Sequence, residues 1–167
     1  MQAITNIFIF SLQVLALDKR PSEFPSKARY ALLALMIACA SEVALGFITG
    51  HLLSYLAILI LSFVWIDLFL VILKMENRLQ QSVSTFLGIA VIGDCAACAL
   101  YLILDSAATA PIIIALGFKI IAMHRLHRFS FRLKRLSLTT ATFVYALFIT
   151  SHLILLITVL GSPGTHV

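Results

Sequence analysis

The chain has 167 residues, 62% of them hydrophobic and 11% charged, with a mean hydropathy of +1.09. Soluble domains average roughly 45–50% apolar and about 25% charged residues, so the composition excludes a water-soluble globule, and it equally excludes a disordered chain. Twelve Lys and Arg against seven Asp and Glu give a net charge of +5, which in so apolar a chain reads first as membrane topology and not as a nucleic-acid surface.

Met1–Leu17 has no Lys or Arg before Asp18 and no small-residue cleavage site, so it is not read as a secretory signal. Ile4, Phe8, Leu12 and Leu15 recur at helical spacing on one side, while Gln2, Thr5, Asn6 and Gln13 gather on another. That pattern predicts an amphipathic helix lying in the membrane interface, with a sixth, short span as the alternative. Asp18-Lys19-Arg20-Pro21 and Phe24-Pro25 break the helix, so residues 1–30 read as an interfacial helix and a basic cytoplasmic linker.

A membrane span takes about 20 mostly apolar residues. Five stretches qualify, at 31–49, 52–73, 83–104, 107–123 and 138–160. The fold expected is therefore all-α, a polytopic membrane bundle of five transmembrane helices with the amphipathic amino-terminal helix beside it. Lys19, Arg20, Lys27 and Arg29 precede the first span, Lys74 and Arg78 follow the second, and Arg125, Arg128, Arg132, Lys134 and Arg135 follow the fourth. The intervening loops and the tail carry none. Short basic loops stay cytoplasmic, so this alternation predicts the amino end inside and the carboxyl end outside; the economy of the chain suggests a bacterial inner membrane, with an organelle membrane as the alternative. Small residues four apart (Ala34 and Ala38, Ala40 and Ala44, Gly93 and Ala97) allow close helix approach.

Glu42, Asp67, Asp94, Lys119 and His152 lie inside these spans. Each acid or Lys costs about 2.5–3.5 kcal/mol at a span centre, so partners are expected. Counting depth along each span suggests an inner Asp67–Lys119 pair, an outer Glu42–His152 pair and a lone Asp94. Such groups form an ion path or glue helices together. Cys39, Cys95 and Cys98 also lie within spans. The Cys95/Cys98 C-x-x-C, one helical turn apart among alanines, reads as packing in preference to redox or metal chemistry, since a tetrahedral metal site needs more ligands. No nucleotide-loop, zinc-hydrolase or nucleophile-elbow pattern occurs, so neither a cofactor nor a catalytic residue is expected.

The stretch His124–Leu136 spaces Arg125, Arg128, Arg132 and Arg135 in one stripe and Leu126, Phe129, Leu133 and Leu136 in the next. It is predicted as a separate basic cytoplasmic helix, with Lys134, that meets anionic lipid or a protein partner; nucleic acid is not an expected partner. The five-span outline and the entry segment LALDKRPSEFPSKARYALLALMIA, Leu15–Ala38, resemble the Yip (Ypt-interacting protein) superfamily and its small bacterial members. The acidic-aromatic-Gly-Pro signature of the eukaryotic members is absent before Ala31, so no functional residue is carried over. The resemblance implies a non-enzymatic membrane protein acting through partners. The expected function is thus a scaffold, assembly factor or accessory subunit working through protein and lipid contacts, or as a homo-oligomer. The alternatives are an ion- or proton-coupled transporter or channel subunit and, third, a membrane thiol oxidoreductase.

Overall fold

A computed structural model describes residues 2–16, 18–25, 27–72, 78–104, 109–129 and 135–161. Among these residues six α-helices follow in chain order: α1 Gln2–Leu15, α2 Ala28–Thr49, α3 Leu52–Ile72, α4 Leu79–Leu104, α5 Thr109–Phe129 and α6 Arg135–Gly161, with a short 3-10 turn at Pro21–Glu23 before α2. There is no strand among the described residues. Helices α2 to α5 each contain a stretch long and apolar enough to cross a membrane, at Ala28–Thr49, Leu52–Val71, Leu79–Ile103 and Ala110–His127. In α6 the apolar stretch among the described residues, Thr142–Leu155, is shorter, as is α1.

Local chemistry accounts for the tight α2–α3 connection. Gly50 takes a left-handed φ of 74°, which costs a glycine little because it has no Cβ. His51 N–H then donates to Gly46 O at 2.9 Å and Gly50 N–H to Phe47 O at 3.4 Å, the paired bonds that satisfy the last carbonyls of a helix. Gly46 lies under the start of α3, where a Cβ would fall 2.6 Å from Leu52 Cα.

Helix α4 is the central element. Its most extensive contacts are with α5 and then α2, and α1 lies over it as well. Gly88 permits the last of these, since Ser11 Oγ and Ile7 occupy the space a Cβ would need. The face α1 buries is Ile7, Phe10, Ser11 and Val14, which is separate from the apolar stripe of Ile4, Phe8, Leu12 and Leu15. Ile4 and Leu12 remain exposed and Phe8 and Leu15 only partly covered. The packed face is turned by about a quarter of a revolution, because Gly88 offers a socket that the small Ser11 fits and a leucine does not. Of the three small-residue pairs, Ala34/Ala38 and Gly93/Ala97 are buried, whereas Ala40 and Ala44 face outward.

Helix α5 differs from the expected boundary. It runs through Phe129, so His124–Phe129 is its last part and not the start of a separate basic helix over 124–136. Hydropathy marks where apolar residues stop; it does not mark where hydrogen bonding stops. No Gly or Pro interrupts 118–129, and Arg and Leu are good helix formers. Leu126 and His127 are buried against the bundle. Arg135 begins α6, Arg132 and Lys134 lie outside the described residues, and so do the side chains of Arg128 and Arg135.

Candidate functional site

The apolar interior is divided in two. A large cluster includes Ala38 of α2, Val91 of α4 and Ala122 of α5. A smaller one contains Leu45 of α2, Ala97 of α4 and Ala115 of α5, with Tyr55 and Ile112. On each of these three helices one ionisable residue occupies the gap between the clusters: Glu42, Asp94 and Lys119. All three are 0% exposed.

Lys119 joins them. Its Nζ lies 2.6 Å from Glu42 Oε1 and 3.2 Å from Asp94 Oδ1. Ser41 donates its hydroxyl to Asp94 Oδ2 at 2.6 Å, while Glu42 Oε2 meets no donor among the described residues. The close approach that permits this comes one residue earlier on each helix, where Gly93 packs directly onto the side chain of Phe118. Two carboxylates thus flank one ammonium in a sealed layer, a polar set that ties α2, α4 and α5 together far from water.

His152 of α6 is also 0% exposed. It shares a hydrogen bond with Ser62 Oγ of α3 at 3.0 Å, and its Nδ1 lies 2.8 Å from Phe148 O. Further along α6, Tyr145 stacks on His127 with ring centres 4.9 Å apart, and its hydroxyl is 3.2 Å from His124 Nδ1. His127 is also 3.3 Å from Thr142 Oγ1. These contacts bind α6 to α3 and α5 through imidazoles.

Both expected pairs are corrected. Lys119 pairs with Glu42 and Asp94 instead of Asp67, Glu42 does not meet His152, and Asp94 is not alone. The physical reason is the length of α5. With the helix ending at Phe129, Lys119 lies about 15 Å from either end at 1.5 Å per residue, at the level of Asp94 and not near one edge. Asp67 faces outward on α3, with no hydrogen bond or ion pair among the described residues.

Arg125 is committed within the chain, because its Nη2 donates to Leu15 O at 2.8 Å. This ties the end of α1 to α5, where a cation also suits the negative end of the α1 dipole. Gln81 of α4 likewise donates to Ser22 O and Phe24 O at 3.0 and 2.9 Å, holding the linker. The three cysteines are free thiols; Cys95 is exposed and Cys98 half-buried, so Cys95 does not fill the interior as its alanine-rich setting suggested. No group of three or more His, Cys, Asp or Glu among the described residues has metal-binding geometry. No family model matches the chain, and neither does any curated protein or solved structure.

Proposed function

We propose that this chain is a non-enzymatic multi-pass membrane protein acting as an accessory or scaffold subunit through contacts made inside the bilayer. It crosses five times, with α6 as the fifth span, its amino end cytoplasmic and its carboxyl end outside, in a bacterial inner membrane. Helix α1 lies at the cytoplasmic interface, and the arginines after Met123 meet anionic lipid there, apart from Arg125. The Yip-like outline fits the same non-enzymatic role.

The observation that carries this reading is the segregation of ionisable groups. Glu42, Asp94, Lys119 and His152 are buried and paired with one another or with Ser41 and Ser62, whereas Asp67 stands on the outer face of an apolar helix. An acid facing lipid costs up to about 3 kcal/mol, and a lateral protein contact removes that cost. The test is native electrophoresis after gentle solubilisation of the source membrane. Wild type is expected in an assembly larger than one chain, and Asp67→Leu in a smaller one. A single-chain mass for both overturns the reading.

A second reading, ion- or proton-coupled transport, draws on one observation: two carboxylates face a single ammonium in the buried layer. Reconstituted vesicles test it, since Asp94→Asn abolishes proton or cation flux if that layer conducts and leaves it unchanged if it only joins helices.

A further inference from the structure

Helix α3 is packed against α2, α6 and, less, α4, and it leaves one side open. Along that side Leu53, Ala57, Ile60, Val64, Asp67 and Val71 are exposed. Their spacing alternates four and three residues without interruption, from near the start of the helix to its end. Any open side of an α-helix shows this alternation, since about 3.6 residues make one turn, and Phe143, Leu147, Thr150, Ile154 and Ile157 on α6 repeat it. What sets this side of α3 apart is an ionisable residue within it. The one polar member, Asp67, lies about 7 Å from the Ile72 end at 1.5 Å per residue.

We infer that this side of α3 is a docking surface for a transmembrane helix of a different protein, one that brings a cationic side chain to the level of Asp67. The inference rests on the accessory-subunit reading and names the partner's chemistry. The occupant follows from charge. A second copy paired through the same side sets Asp67 against Asp67, two acids in a medium that barely screens them. The chain's embedded Lys119 is already held by two carboxylates in the interior, and the imidazoles of His124, His127 and His152 are engaged by Tyr145, Thr142 and Ser62. Arg125 is held by Leu15 O, and Lys74 and Arg78 come seven and eleven residues after Asp67, so a cation level with Asp67 comes from another protein. Polar residues in membrane spans act in this way, pairing across helices where water is absent.

The test uses the full-length protein in vesicles of phosphatidylcholine and phosphatidylglycerol. Energy transfer is measured to three leucine-rich spanning peptides that differ only at the position level with Asp67, where they carry Lys, Leu or Asp. The Lys peptide is expected to associate roughly three- to twentyfold more strongly than the Leu peptide, and Asp67→Leu is expected to erase that preference. Because Asp67 is exposed, the variant loses no internal contact and keeps its fold. Equal transfer from the three peptides, including none from any, overturns the inference, as does Asp67-dependent transfer between two labelled copies of the chain. If the native assembly depends on Asp67 while the Lys peptide is not preferred, the cationic partner falls and the accessory-subunit reading stands. A preferred Lys peptide with no native assembly has the opposite meaning for that reading.

Discussion

Gly93 of α4 and Phe118 of α5 touch directly, each one residue ahead of a member of the charged layer, Asp94 and Lys119. The absence of a side chain at Gly93 brings the two backbones near enough for an ion pair of 3.2 Å to form between the residues that follow.

Substituting Ala at Gly93 therefore forces α4 and α5 apart and is expected to cost about 1–3 kcal/mol. Gly117, also on α5, lies in open space, where an added Cβ would meet nothing within 4 Å, so Gly117→Ala serves as the control. It should be neutral or slightly stabilising, as alanine is the better helix former. Denaturant titration of both variants in bicelles checks the difference, and equal losses would sink the account.

Lys119→Met leaves two acids facing each other without their cation, and the expected loss is about 3–5 kcal/mol. Removing the whole set, as Glu42→Gln, Lys119→Met and Asp94→Asn together, leaves no stranded charge. The triple variant is expected to be clearly more stable than the single one. Unfolding transitions of the two, measured side by side, decide whether these groups act as one unit.

At the α2–α3 turn, Gly50→Ala places a Cβ on a residue with φ of 74°. The space around it is open, so the penalty is conformational alone, about 1–2 kcal/mol. A stability measurement on this variant should show that loss with no change in the contacts of Gly46.

Arg125→Ala removes the donor to Leu15 O. A hydrogen bond from a charged group contributes about 1.5–3 kcal/mol, and the loss is confined to the docking of α1. Amide exchange should accelerate about tenfold or more across Gln2–Leu15 while α4 stays protected. Uniform acceleration through both helices would show that α1 is not a separable unit.

Much of this arrangement was legible from residue order alone. The apolar stretches now found in α2, α3 and α4 stand out because lipid-length runs of Leu, Ile, Val, Ala and Phe have few other readings. Glu42, Asp94, Lys119 and His152 were recognisable as embedded groups that need partners. Their pairing was not recognisable, for two reasons. Depth counted from the hydropathy edge at Met123 missed the helical turns through Phe129, which moved Lys119 away from the level of Asp94. Direction around the axis was hidden as well: α3 is apolar on every side, so nothing in its sequence says that Ser62 turns inward while Asp67 turns out. In α1 the strongest apolar stripe was visible, but the packed face depended on a glycine 77 positions away from Ser11, at Gly88. The C-x-x-C misled in the same manner, since only the azimuth of α4 reveals Cys95 on its outer side.

The bond from Arg125 to Leu15 spans 110 residues of chain. Translation at about 5–20 residues per second puts roughly 6–22 s between the birth of the first segment and that of the side chain that fastens it. For most of that interval, until Gly88 of α4 has been made 77 residues after Ser11, Gln2–Leu15 waits off its seat, with Ile7, Phe10 and Val14 lacking the cover of α4. Whatever shelters those three side chains in the meantime, whether membrane surface or an insertion factor, governs how well this protein is made.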